Sequence, residues 1–224
     1  VQWYHFAYMM ISVALLGCGA AGTFVTVFRR PLDDRFASVF AASAALFGIT
    51  AIASYLLAQR VPFNALEFLW DPRQPWWLAL TYLLLFVPFF FAALCVCLVF
   101  TRFAARAARV YSYDILGAAA GCLGIVLLLF VLAPALALGC SGATGLLAAA
   151  LALLSERPRR QAPAVALLVM ALLLPWLMSG AAGALRMSPY KELSQTLEVM
   201  GARVVAERSG PLGLVTVVES PQVP

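Results

Sequence analysis

Six apolar runs, each long enough to cross a bilayer, constrain this chain more than any other feature of its sequence. They cover approximately residues 5–28, 36–58, 76–100, 110–133, 135–154 and 164–185. Roughly 20 helical residues span a hydrocarbon core of about 30 Å. Backbone amides in hydrocarbon find no water, so each run must satisfy its own hydrogen bonds as an α-helix. Composition agrees, since 64% of the 224 residues are hydrophobic and 11% are charged, far from a soluble globular balance. The sequence predicts an all-α integral membrane protein in which residues 1–186 form a bundle of about six transmembrane helices. Its first partner is the lipid bilayer.

Arginine placement orients the bundle. Arg29, Arg30 and Arg35 follow the first run, Arg102, Arg106 and Arg109 the third, and Arg157, Arg159 and Arg160 the fifth. Only Arg60 and Arg73 follow the second, and the turn after the fourth has none. Basic residues resist transfer across hydrocarbon, so the three arginine-rich connections belong on the cytoplasmic side. A sixth crossing then places the tail from Arg186 on the outer face of the cell inner membrane. The same placement accounts for the net charge of +5 without a nucleic acid partner.

Small residues supply the packing signal. Gly17, Gly19 and Gly22 lie in the first run, Gly117, Gly121 and Gly124 in the fourth, and Gly139, Gly142 and Gly145 in the fifth. Spacings of three and four expose bare backbone along one helical face, where a second helix can approach. Pro134 separates the fourth and fifth runs without a polar linker. These two helices are therefore expected to form a tight hairpin packed through Gly117, Gly121 and the Gly139 to Gly145 face. Pro88 and Pro175 remove backbone donors within the third and sixth runs and are expected to kink them.

Few residues could carry chemistry. Asp114, near the cytoplasmic end of the fourth run, is a costly carboxylate that can serve a function, cap backbone or pair with an arginine. Glu67 and Asp71, beside Trp70, Trp76 and Trp77 in an interfacial connection, read either as cation ligands or as solvated loop charges. His5 stands alone, which excludes a multi-histidine metal or haem site. Cys18, Cys95, Cys97, Cys122 and Cys140 all sit in apolar runs and act as small hydrophobes, with no disulfide framework or metal clamp implied. No catalytic, metal or cofactor-binding residue is assigned.

The tail changes character. Ser188 can cap a helix beginning at Pro189 and ending before Gly201. RVVAER and LVTVVES, separated by SGPLG, then read as a β-hairpin. Residues 187–224 are thus expected to form a short helix and a hairpin; because a lone hairpin is marginal in water, it either opens a soluble domain continuing past Pro224 or packs on a neighbour.

Three stretches together resemble the membrane-fused spermidine synthase-like proteins of bacteria. They are HFAYMMISVALLGCGAAGTF, YSYDILGAAAGCLG and SPYKELSQTLEVMGARVVAERSGPLGLVTVVES. The resemblance implies a multi-helix membrane domain that precedes an aminopropyltransferase-like domain of Rossmann type, with this tail as its entry. It also implies an active site built from a glycine-rich loop and acidic residues, which no position here matches. Two further readings stand beside it: an accessory subunit whose small-residue faces dock on other membrane proteins or on a second copy, and a small transporter. The near absence of polar groups at mid-span weighs against the transporter.

Overall fold

The computed structural model describes residues 3–63, 70–156, 161–180, 203–210 and 213–219. Helix α1 spans Trp3–Val27 and α2 Arg29–Asp34. The long helices α3 (Phe36–Ala58), α4 (Gln74–Arg102), α5 (Ala107–Val131), α6 (Pro134–Glu156) and α7 (Gln161–Ser179) follow. Strands β1 (Arg203–Gly210) and β2 (Gly213–Glu219) form an antiparallel hairpin. Six helices, all but α2, are long and apolar enough to cross a membrane. The chain is therefore a multi-pass, all-α membrane bundle with a terminal hairpin. The short helix expected after Ser188 lies outside the described residues.

Most hydroxyl side chains described within the spans bond to their own helices. Thr23, Thr26, Ser43, Thr50, Thr81, Thr101, Ser112 and Ser141 each donate a hydroxyl hydrogen to the carbonyl four residues earlier. That pattern hides the hydroxyl from hydrocarbon without a partner helix. On the α3–α4 connection, Asp71 prepares the start of α4. Its Oδ1 accepts from the Arg73 amide at 3.0 Å and its Oδ2 from Gln74 Nε2 at 3.3 Å. Trp70 and Trp76, both largely exposed, flank this point, where indole rings suit the headgroup level.

The spans pack in the order α1, α4, α3, α6, α7. Between α1 and α4 the core comprises Ala21, Val25, Ala93, Leu94 and Leu98, joined by Leu32 of α2 and lined by Phe36, Phe90 and Phe91. Between α3 and α6 the contact is made by alanines, chiefly Ala41, Ala44 and Ala149. Ala143, Leu146 and Ala171 tie α6 to α7, and Leu146 is fully buried.

Helix α5 stands outside this row. Residues along its whole length are exposed or half-buried, and none is buried. The expected hairpin through Gly117 and Gly121 is therefore corrected: a Cβ at Gly117, Gly121 or Gly124 would meet nothing within 4 Å. The reason is competition for the glycine face of α6. There, Gly48 of α3 and Pro175 and Leu174 of α7 already lie against Gly139 and Gly142. Leu132, with extended backbone at φ −111° and ψ 148°, ends α5. The chain thus uses α5 to recross the membrane and deliver α6 to the far side of α3. Both prolines sit within continuous helix, Pro88 in α4 and Pro175 in α7.

A leucine at Gly142 would drive its Cβ to 2.8 Å from Leu174 Cδ2 and 3.0 Å from the Gly48 carbonyl oxygen. Overpacking of this kind costs about 1–3 kcal/mol, and more where backbone must yield. Gly142→Leu should lower the thermal midpoint of the detergent-solubilised monomer by several degrees, while Gly121→Leu leaves it unchanged. Equal shifts for the two variants would refute the assignment of packing faces.

Candidate functional site

The glycines singled out in the sequence divide into two groups. Gly17 meets α4, where a Cβ would lie 3.0 Å from Phe89 Cβ and 3.1 Å from the Phe90 amide nitrogen. A Cβ at Gly139 would meet Pro175 Cα at 3.0 Å, and one at Gly145 would meet Phe47 Cδ1 at 2.7 Å and the Ala44 carbonyl at 2.8 Å. Gly19, Gly22, Gly117, Gly121 and Gly124 face open space. Gly48, not singled out in the sequence, makes the closest approach: its added Cβ would lie 2.5 Å from the Gly142 carbonyl oxygen. Its signal was available in Ala41, Ala44 and Ala45, small residues at helical spacing on the same run as Gly48.

Close contact along this seam leaves a void beside it. A cavity of about 500 Å³ opens between α1, α3, α4 and α6, with Met10, Phe47, Ala51, Leu85, Phe89 and Leu138 on its walls. Ser54 and Ser141 also border it, but both hydroxyls are committed to carbonyls, Ser54 to Leu84 of α4 and Ser141 to Ala137 of its own helix. Tyr55 and Gln59, hydrogen-bonded to one another, stand toward the α3–α4 connection. The cavity is a largely apolar chamber with Tyr55 and Gln59 at one end.

Pro88 explains why Ser54 reaches across. Residue 88 would normally donate its amide to the Leu84 carbonyl, and proline has no amide hydrogen. The freed carbonyl instead accepts from Ser54 Oγ, which pins α3 to α4 at the cavity wall. Sequence reading found the proline without its partner, because a bond over 30 residues has no local signature.

A second cleft, of about 340 Å³, lies between the C-terminal end of α4, the N-terminal part of α5 and the start of α3. Asp114 and Tyr113 border it opposite Phe40, Cys95, Val99 and Phe100. Asp114 itself is exposed and lies within α5, past the first turn, beyond the reach of a capping role. Glu67 lies outside the described residues, and Asp71 is engaged at the start of α4. Among the described residues, no three His, Cys, Asp or Glu side chains gather as a metal site.

Comparison with protein-family models, curated proteins and solved structures finds no match to this chain.

Deleting the Ser54 hydroxyl should strand the Leu84 carbonyl, and interhelical hydrogen bonds in membranes contribute about 0.6–2 kcal/mol. Pro88→Ala restores an intrahelical donor to that carbonyl. Ser54→Ala should therefore destabilise the wild-type background and be nearly neutral in Pro88→Ala. Additive effects in this double-mutant cycle would show that the two residues act independently.

Proposed function

We propose that this chain is the membrane-embedded domain of a spermidine synthase-like protein, which anchors an aminopropyltransferase-like domain to the bilayer. The observation that carries the reading is the hairpin at its end. Arg203 pairs with Glu219 and Gly210 with Gly213, with an irregularity between Val204 and Ala206. Val204, Val205, Val215 and Val217 are all exposed on this ribbon. A two-stranded ribbon with bare valines is marginal alone and gains stability when further strands or a helix cover it. It suits the opening of a larger sheet, the place that the resemblance of SPYKELSQTLEVMGARVVAERSGPLGLVTVVES gives it.

On this reading residues 1–186 anchor, and the chemistry belongs to a following domain that supplies the nucleoside-binding loop and the acids. The gene downstream of codon 224 decides the matter. A glycine-rich loop after a β-strand, followed by clustered acidic residues, is expected there; a stop codon or an unrelated domain would overturn the assignment.

One observation favours a second reading, an accessory subunit that docks on other membrane proteins or on a second copy. Helix α5 keeps its Gly117, Gly121 and Gly124 face open. If that face is an interface, Gly121→Leu should weaken association in bilayers, measured by energy transfer between labelled copies, without altering the isolated monomer.

The nine-to-two arginine asymmetry supports an outer location for the tail. Helix α7, at 19 residues, is about 28 Å long and suffices for a crossing. An alkaline phosphatase fused after Glu219 should be active in bacterial cells, and a fluorescent reporter fused after Arg160 should fluoresce. An inactive but stably expressed phosphatase would put the tail in the cytoplasm, beside the nucleoside donor that polyamine synthesis uses.

A further inference from the structure

We propose that the cavity between α1, α3, α4 and α6 is a binding site for one acyl chain of a phospholipid in the leaflet facing the α3–α4 connection. The proposal goes beyond anchoring and stands whether or not a soluble domain follows. Its volume, about 500 Å³, lies within the ~300–1,000 Å³ range of small-molecule sites. Water is a poor occupant of most of its length, because a buried water needs two to four polar partners and, away from Tyr55 and Gln59, the walls offer only the Ser54 and Ser141 hydroxyl oxygens, whose hydrogens already go to backbone carbonyls. Hydrocarbon that fills it gains dispersion contacts along the lining. Hydrocarbon is what the surroundings supply and what the walls accept.

Length narrows the choice. Along α3 the lining runs from Phe47 to Gln59, a rise of about 18 Å at 1.5 Å per residue. One leaflet of hydrocarbon is about 15 Å deep, half of the bilayer core. The chamber therefore reaches from the interface to the midplane, the depth of a single acyl chain. The polar end agrees, since the Tyr55 and Gln59 pair sits at the last turn of α3. Ester and glycerol oxygens of a lipid would lie at that level, with the acyl terminus near Phe47 and Phe89.

The test uses the full chain reconstituted in nanodiscs of phosphatidylethanolamine and phosphatidylglycerol carrying a diazirine at the acyl terminus. Illumination should label α3 and α4 around Phe47 and Phe89. Labelling confined to outward-facing side chains such as Leu127 of α5 or Leu172 of α7 would overturn the proposal. Native mass spectrometry after a detergent wash should retain one phospholipid per chain. In Ala51→Phe/Ser141→Phe that retention should fall about tenfold, because two rings fill the space. Undiminished retention in a folded double variant would refute the site, and preferential retention of an added polyisoprenyl phosphate would refute the acyl chain as occupant. Should the variant misfold, the labelling pattern of the unsubstituted protein decides alone.

Discussion

Backbone-to-backbone approach between α3 and α6 is the contact around which the other helices arrange. In lipid, moving a leucine from hydrocarbon to a helix interface gains little, because the tails are as apolar as the side chain. What remains is dispersion, which falls off steeply once a gap opens. Gly48 facing Gly142, and Gly145 facing Ala44 and Phe47, bring the two backbones close enough to collect it. Leu146 then fills the space beside Gly48 and is fully buried, a large knob set among glycines and alanines. Helix α7 closes on the other side, with Pro175 and Met178 against Gly139.

That seam has a consequence for α4. Small residues draw α3 toward α6, while the larger rings of Phe89 and Phe90 hold α4 against α1 at Gly17. These two pairs, with different spacing, meet where α3 packs on α4, and the chamber lies at that junction. Ser54 and the Leu84 carbonyl fix that junction, with Pro88 removing the competing donor. A proline often read as a kink acts here as the source of an interhelical acceptor.

The spans were legible because hydrocarbon imposes length and composition on every helix, and element bounds at Phe36–Ala58 and Ala107–Val131 lie within a few residues of the apolar runs. Partnership was less legible. Glycine spacing marks a face that can pack but does not name what packs on it, so Gly142 and Gly121 look alike in sequence while one is enclosed and the other open. Adjacency in the chain suggested that α5 and α6 would pair. Adjacency lost to complementarity, since α3 offers Ala41, Ala44 and Gly48 to α6, whereas the glycines of α5 remain open and the residues around them point to lipid. The α2 turn over Arg29–Asp34 escaped notice because six residues with a central proline carry no periodic signal.

An unburied α5 is physically tolerable only because the solvent is lipid. In water, Ile115, Leu116, Leu123, Leu127, Phe130 and Val131, all exposed, would form a patch far beyond what a soluble monomer shows. Within hydrocarbon the same surface costs nothing beyond the contacts it fails to make. Helix stability there comes from backbone bonds that water cannot compete for, so α5 needs no tertiary partner to stay helical. The chain can therefore hold a complete crossing outside its packed row, which frees α6 to reach α3 and leaves one apolar face available. Packing and crossing are separate tasks in this bundle, and α5 performs only the second within a single copy.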